Sequence, residues 1–295
     1  MRPALHRYAL AALIAGLIVL APQTATAVVN LPWSTTYNCA DWKQSDGLYM
    51  NICDGMTGIG GEACHNGDGT DEEEQITAVA NYPSGGGGKG QRHWKGDGTN
   101  NVSGGTKIDF VSPQPELWIR WYMRYEQGFE WNPLNNDKVL YIDVLMPWFV
   151  IFGHFWSDET GFNVYGNPYY SGTGNGWNTV MSAGSNDARG NKTGDGRWHL
   201  YEVHIKLDTN GANGIGEVWI DGVQRMSRSD IDFGSQSGKT GWSVIGIGSN
   251  NRYPTTTRCM AVDFDDFAVR TTGPIGPVGP ADTLAPAAPT NLTVQ

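Results

Sequence analysis

The clearest pattern in the chain is the stretch Glu116–Tyr125, in which hydrophobic and polar positions alternate with a period of two. Successive residues of a β-strand point to opposite faces of the sheet, so the alternation predicts a strand. One face is apolar and consists of Leu117, Ile119, Trp121, Met123 and Tyr125. The other carries arginines between aromatic side chains: Trp118, Arg120, Tyr122 and Arg124. We predict that the first face packs in a core and that the second is either a solvated surface or a floor for a polysaccharide.

A second alternating stretch covers residues 197–207, and here Leu200, Glu202, His204 and Lys206 share one face. Asp221-Gly222 is a two-residue hairpin signal between two further alternating segments. Other short apolar runs read as strands, at residues 76–82, 138–146, 148–156, 241–249 and 260–270. No run of a dozen residues has a helical period. We therefore predict an all-β fold, an antiparallel β-sandwich (jelly roll) with long loops.

The first residues have the pattern of a secretory signal peptide. Arg2 and Arg7 precede an apolar segment, and Ala25-Thr26-Ala27 fits a cleavage site, so we expect residues 1–27 to be removed. Residues 28–272 are then predicted to form one jelly-roll domain, followed by a Gly/Pro linker at 273–285 and a tail at 286–295 that resembles the start of a fibronectin type III module. No other apolar run is long enough to span a membrane. We therefore expect a secreted protein, extracellular or periplasmic, without membrane insertion after cleavage.

The charge of the chain limits the possible partners. Without Arg2 and Arg7, 18 of the 20 basic residues remain against 30 acidic ones, which gives the exported part a net charge of −12. Nucleic acids and anionic membranes prefer a basic surface, so both are disfavoured as partners. A polysaccharide partner, even an acidic one, remains compatible because a local basic cleft can lie on an acidic protein.

The four cysteines, Cys39, Cys53, Cys64 and Cys259, all lie in the exported part and predict two disulfides. Three pairings are possible. We favour Cys53–Cys64 as a local link and Cys39–Cys259 as a tie between the first and last strands. The absence of Cys-x-x-Cys disfavours a zinc ribbon, and the four glycines before Lys89 lack the Lys-Ser/Thr of a phosphate-binding loop. We therefore expect no organic cofactor.

Three segments share a strand-and-turn pattern: Glu116–Tyr125, residues 198–206 with 216–222, and residues 263–269. Together they resemble the concanavalin A-like lectin/glucanase jelly rolls, especially polysaccharide-lyase-like domains of the heparin-lyase and glucuronan-lyase type. The resemblance spans residues 105–270. The chain lacks the Glu-x-Asp-x-x-Glu strand of laminarinase-type hydrolases, which disfavours a retaining glycosidase. It also lacks the alginate-lyase signatures. Arg120 and Arg124 resemble only the two arginines of the first signature, an Arg-Thr-Glu-Leu-Arg strand.

A lyase that cleaves a uronate-containing glycan by β-elimination needs a group that neutralises the carboxylate, a base and an acid. Candidate catalytic residues are Arg120 for the carboxylate, His154 or His204 as base, and Tyr253 as acid, with Tyr122 as another possible acid. Arginine suits the first role because it binds carboxylates with two hydrogen bonds. The remaining candidates would bind substrate, and they are Trp118, Tyr122, Arg124, Trp156 and Lys206.

Two other functions use the same features. A non-catalytic carbohydrate-binding or adhesin domain would use Trp118, Tyr122 and Trp156 as stacking platforms and would need no base. A structural cell-surface domain would need no site at all. The family resemblance further suggests a structural Ca²⁺ between the first and last strands, with Asp263 and Asp265 as ligands.

Overall fold

The structure is a computed structural model that describes residues 27–43, 52–59, 64–65, 71–72, 74–95, 101–102, 105–129, 137–142, 152–158, 161–166, 177–180, 195–248, 251–252 and 259–278. The predicted signal peptide lies outside the described residues except for Ala27. Within the described ranges the regular structure consists of β-strands and two short 3₁₀ turns, Ala78–Ala80 and Ser235–Ser237. Two large, mainly antiparallel sheets form a β-sandwich, which confirms the predicted fold class.

In the first half of the described chain, β8, β10 and β11 are longer than the other strands, which have two or three residues each. The strands of this half are β1 (Val28–Val29), β2 (Trp33–Thr35), β3 (Trp42–Lys43), β4 (Thr57–Ile59), β5 (Cys64–His65), β6 (Asp71–Glu72), β7 (Gln75–Thr77), β8 (Gly90–Lys95), β9 (Asn101–Val102), β10 (Gly105–Gln114) and β11 (Glu116–Tyr125). The strand predicted over residues 76–82 is shorter, because the chain turns into Ala78–Ala80 directly after β7.

The second half of the described chain contains most of the longer strands. They are β12 (Asp137–Ile142), β13 (Phe152–Asp158), β14 (Gly161–Gly166), β15 (Trp177–Val180), β16 (His199–Lys206), β17 (Gly214–Ile220), β18 (Val223–Ile231), β19 (Trp242–Ile247), β20 (Asn251–Arg252) and β21 (Met260–Arg270). The last of these has the predicted bounds, and the turn between β17 and β18 lies at the predicted Asp221-Gly222.

Among the described strands, nine form one sheet in the order β18-β17-β16-β11-β21-β8-β7-β3, with β2 also paired to β21. Ten form the other, including the path β1-β10-β19-β12-β13-β14-β15. Strands β5 and β6 form a separate pair. Strand β11 therefore lies in the middle of the nine-stranded sheet, between β16 and β21.

The core lies between the two large sheets, and the apolar face of β11 is part of it. Leu117, Ile119, Trp121, Met123 and Tyr125 are all 0% exposed and belong to one hydrophobic cluster. The neighbouring strands contribute alternate residues such as Tyr201, Val203 and Val262. The alternating pattern thus identified the core face of β11 correctly.

A β-bulge in β21 adjusts the last strand to this core. Tyr122 pairs with Asp265 and Arg120 with Ala268, so β21 has one residue more than β11 between the two pairs. Asp266 takes a left-handed φ of 47° at this point. The extra residue shifts the alternation so that both Phe264 and Phe267 reach the core.

The two disulfides are Cys39–Cys53 and Cys64–Cys259, so the favoured pairing is wrong, although the number of bridges is right. The turn that carries Cys53 is held against β2 by bonds from Trp33 Nε1 to the Asp54 carbonyl (2.8 Å) and from Thr35 Oγ1 to the Asp54 carboxylate (2.6 Å). These contacts bring Cys53 to Cys39. Two disulfides fit an oxidising compartment and are compatible with secretion. In the described part of the chain, no helix has the length and hydropathy of a membrane span.

The hairpin between β17 and β18 is fixed by His199. Its Nδ1 lies 2.6 Å from the Asp221 carboxylate, and its Nε2 lies 3.1 Å from that of Asp195. Burial would lower the pKa of His199, but hydrogen bonds and charges from Asp221 and Asp195 outweigh it and raise the pKa. Burial alone would raise the pKa of Asp221, but the hydrogen bond with His199 outweighs burial and lowers that pKa.

These shifts predict a pH-dependent cost for the substitution His199→Asn. A histidine with a raised folded pKa stabilises fully below its unfolded pKa of about 6.5 and loses that effect as pH rises through the folded value. We expect the substitution to lower the free energy of unfolding by about 2 kcal/mol near pH 6, as for a hydrogen bond to a charged group, and by less at alkaline pH. Denaturant unfolding at several pH values measures this. A cost that grows with pH would contradict it.

Candidate functional site

The sheet face of β11 that points away from the core carries six of the residues predicted from sequence. Cross-strand pairing places Trp118 beside His204 and Arg120 beside Glu202, while Glu202 pairs in turn with Trp219 of β17. These neighbours form one continuous polar and aromatic layer, which we call the outer face. The predicted residues on it are Trp118, Arg120, Tyr122, Arg124, His204 and Lys206.

The centre of the outer face is covered, unlike the solvated surface that was one expectation for it, whereas Lys206 at its edge is exposed. Trp118, Arg120 and Tyr122 are only 9%, 2% and 5% exposed. The cover comes from the loop around Tyr82, whose ring stacks on Tyr122 at 4.0 Å, and from residues 273–278. Burial, the largest influence, raises the pKa of Tyr122 to about 12. The phenol therefore stays protonated at neutral pH.

His204, a candidate base, is held on all sides. Its ring stacks on Trp118 at 3.9 Å, with Nδ1 2.8 Å from Glu217 and Nε2 3.0 Å from Glu116. Lys206 also bonds to Glu116, at 3.1 Å. Burial alone would raise the pKa of Glu116, but the hydrogen bonds from His204 and Lys206 outweigh burial and lower that pKa. Both nitrogens of the imidazole are engaged, so this arrangement does not turn His204 toward a substrate.

Arg124 binds a carboxylate of the protein itself. Asp263, whose side chain is 3% exposed, accepts hydrogen bonds from Arg124 Nε at 3.0 Å and from Arg92 Nε at 2.6 Å and Nη2 at 2.9 Å. The guanidinium of Arg124 also lies 4.8 Å from the ring of Trp198. The predicted substrate-binding role of Arg124 thus competes with this ion pair.

The same contacts bear on the calcium prediction, which stays a prediction. Both oxygens of Asp263 face guanidinium groups, which does not suit a cation ligand. Asp265 accepts hydrogen bonds from the backbone N–H groups of Tyr82 (2.6 Å) and Asp266 (2.7 Å). Burial, with the neighbouring carboxylates of Asp266 and Asp263, raises its pKa to about 8. Within the described ranges no group of three or more ligand side chains could hold a metal ion. This arrangement of Asp263 and Asp265 therefore gives the calcium prediction no support.

Residues 273–278, which we call the strap, lie on the outer face and open the predicted linker. Glu202 accepts hydrogen bonds from the backbone N–H groups of Ile275 and Gly276. Arg120 Nη1 donates to the Gly276 carbonyl at 3.3 Å, and the Tyr122 hydroxyl accepts from Val278 N–H at 3.1 Å. The first part of the predicted linker is thus packed against the domain.

A cleft of about 240 Å³ opens between the strap and the outer face. Two indole rings stand in its wall, those of Trp118 and Trp219, whose centroids are 5.7 Å apart. Glu202 is the charged residue of the lining, and the remaining lining residues are Leu200, Gly222, Pro274, Gly276 and Pro277. This volume lies below the range of about 300–1,000 Å³ typical of drug-sized ligands, so the cleft suits a single small ring.

Two other candidates, His154 and Trp156, are not brought to this face. His154 and Trp156 lie on β13 in the ten-stranded sheet, where their backbones pair with Tyr165 and Asn163. Tyr253 lies outside the described residues. The six candidates on the outer face and the two on β13 therefore belong to different sheets, and the predicted site is not assembled as one cluster by the described strands.

Sequence reasoning missed three parts of the site: Trp219, Tyr82 and the strap. Trp219 had a signal, since it alternates with the core residues Val218 and Ile220 in β17. Tyr82 lies in a loop, where no periodicity marks a contact. The repeated Gly-Pro pairs of the strap are typical of a linker, so its docking had no local signal.

No family model matches the chain, and no curated protein matches it. Among solved structures, the alginate lyase Aly36B, as a double mutant in complex with alginate tetrasaccharide, is 10% identical with a TM-score of 0.51, covering 84% of this chain and 99% of that one. The alginate lyase vAL-1 from Chlorella virus is 14% identical (TM-score 0.47, 74% and 95% covered). The cellulose induced protein Cip1 is 11% identical (TM-score 0.43, 74% and 89% covered).

At these identities the likeness concerns the fold alone, and only the first of the three TM-scores exceeds 0.5. The likeness to Aly36B agrees with the two large sheets described above and with a jelly-roll fold of the polysaccharide-lyase-like kind. The chain is therefore a β-sandwich with a fold similar to that of the alginate lyase Aly36B.

Proposed function

We propose that the protein is a secreted polysaccharide-binding protein that holds a sugar residue in the cleft between Trp118, Trp219 and Glu202. The observation that carries the proposal is the composition of this cleft: two indole rings beside one buried carboxylate. An indole offers an apolar face to the C–H groups of a sugar ring, and a carboxylate accepts hydrogen bonds from its hydroxyls. A cleft of one-ring size fits an exposed residue or chain end of a glycan.

The internal contacts of the outer face favour binding over catalysis. A general base must reach the proton that it removes, and both nitrogens of His204 already face carboxylates. Arg124 is paired with Asp263. A binding site needs neither group to be released.

A β-elimination lyase acting on a uronate glycan is the second candidate function, and one observation favours it. Arg120 and the protonated Tyr122 lie two positions apart on β11, on the same side of the sheet, and both bond to main-chain atoms of the strap. Together they offer a carboxylate-binding group and an acid, two of the three groups that the reaction needs. Incubation with a panel of uronate polymers, followed by ultraviolet absorbance of the unsaturated product, tests this candidate. No absorbance rise on any polymer contradicts it.

The substitution Trp219→Ala tests the binding proposal. The ring of Trp219 lines the cleft on a half-buried strand position, so its loss removes a stacking surface without opening the core. Truncating a central aromatic contact typically costs about 2 kcal/mol or more, and we expect affinity to fall about 30-fold. Affinity gel electrophoresis on neutral and uronate polysaccharides measures it.

Val111→Ala is the control, since this side chain is 59% exposed on β10 of the other sheet. If the parent protein is retained and Trp219→Ala is retained equally well, the cleft is refuted as the binding site. Absence of retention of the parent protein on every polymer would refute the binding function.

A further inference from the structure

The strap is bound to the outer face through its main chain. Two N–H groups bond to Glu202, one bonds to the Tyr122 hydroxyl, and one carbonyl accepts from Arg120. A further carbonyl, that of Gly273, accepts from Arg270 Nε at 3.0 Å. The binding thus depends on backbone conformation more than on the identity of the strap side chains.

The backbone conformation of the strap needs glycine at one central position. Gly276 has a φ of 73°, in the left-handed region where residues with a Cβ are strained. This turn presents its N–H to Glu202 and its carbonyl to Arg120. The docked form is therefore a specific local structure, although its Gly-Pro composition is that of a linker.

The strap engages the groups that a glycan would use. Glu202 suits sugar hydroxyls, and Arg120 suits a uronate carboxylate. Pro274, Gly276 and Pro277 also form one wall of the cleft. A glycan longer than one residue would meet the strap as it extends from the cleft toward Arg120.

We propose that the strap is a built-in competitor for the sugar site, displaced when a uronate-containing glycan binds. The inference rests on the proposed function, and it names both the regulation of that site and the class of glycan that releases it. A carboxylate carries a full negative charge and therefore binds the Arg120 guanidinium more strongly than the neutral carbonyl of Gly276 does. Gly273, Pro274 and Pro277 are exposed, so few side-chain contacts resist the release.

The substitution Gly276→Pro detaches the strap within the full chain. Proline fixes φ near −65° and has no N–H, so it can neither adopt the left-handed turn nor donate to Glu202. A chain that ends at Thr272 removes the strap altogether. Thr272→Ala is the matched control, since this exposed residue directly precedes the strap.

Binding to alginate and to other uronate polymers is measured for the four proteins by affinity gel electrophoresis. We expect about tenfold tighter binding by Gly276→Pro and by the shortened chain, as for a site that is open about one-tenth of the time in the parent. Thr272→Ala should bind like the parent. Equal affinity of all four proteins would overturn the competitor role while leaving the sugar site in place. No binding by any of them would overturn the proposed function and the inference together.

Hydrogen exchange of the Ile275, Gly276 and Val278 amides tests docking without a glycan. In the parent these amides should be protected by their bonds to Glu202 and Tyr122. In Gly276→Pro, which has no amide at position 276, the Ile275 and Val278 amides should lose their protection. It should also be lost when the parent binds a uronate polymer. Unprotected amides in the free parent, or protection that persists in the complex, would overturn the inference.

Discussion

Replacing Cys64 and Cys259 together by alanine should lower the free energy of unfolding by about 5 kcal/mol, the largest effect that we expect from any change described for this protein. The bridge joins residues 195 positions apart and links β5 to the start of β21. In the chain-entropy account, a cross-link that closes a long loop restricts the unfolded chain more than one that closes a short loop. Denaturant unfolding of the oxidised parent and of the variant measures the difference.

The second bridge supplies the matched control. Cys39 and Cys53 are 14 positions apart, and their joint replacement by alanine should cost about 3 kcal/mol. Both variants lose one disulfide, so the difference between them isolates the loop length. A Cys39/Cys53 variant that is less stable than the Cys64/Cys259 variant would contradict the loop-length argument.

Asp263→Ala should destabilise the fold by about 3 kcal/mol. The carboxylate is almost fully buried between the guanidinium groups of Arg92 and Arg124, whose side chains are 18% and 24% exposed. Its removal leaves two like charges side by side with reduced access to water. Breaking a buried ion pair from one side typically costs about 3–5 kcal/mol, and the partial exposure of both arginines places this case at the lower end.

An exposed pair of the same chemistry gives the comparison for Asp263. Asp230 bonds to Arg228 at 2.7 Å, but its side chain is 67% exposed. Water screens such a pair, so Asp230→Ala should change stability by less than about 1 kcal/mol. Thermal and denaturant unfolding of the two variants decide the point. If both substitutions lower the stability by the same small amount, Asp263 does not offset the repulsion between Arg92 and Arg124.

The two arginines of β11 show how one strand pattern leads to two roles. The sequence places Arg120 and Arg124 on the same side of the strand, and the structure confirms this. Arg124 is then used by the fold, through Asp263, whereas Arg120 meets the strap. Their difference depends on neighbours 139 and 156 positions away, which no local pattern of β11 can specify.

The function proposed for the outer face likewise combines a local and a distant component. The aromatic and charged positions of β11 were recognisable as a sugar floor because they alternate with a core face. Trp219 reaches these positions of β11 because β17 lies beside β16. The strap reaches them because the chain returns across the sheet after β21. The cleft exists only where these three components meet.

The sequence by itself determined the all-β class, the core face of β11, the hairpin at Asp221-Gly222 and the full length of β21. These are properties of alternation and of turn residues, so they are set by neighbours within a few positions of the chain. The set of polar residues that share the outer face follows from the same rule.

Only the tertiary structure decided which of those residues meet. Strand order and register set the partners of Asp263, of His204 and of Glu202, and the folding of the Cys53 turn onto β2 set the disulfide pairing. A polar side chain, a cysteine or a Gly-Pro segment has no period that reveals a distant partner. Its role is fixed by the surface that the fold brings against it, which is why the strap was indistinguishable from a linker until its contacts with Arg120, Glu202 and Tyr122 were seen.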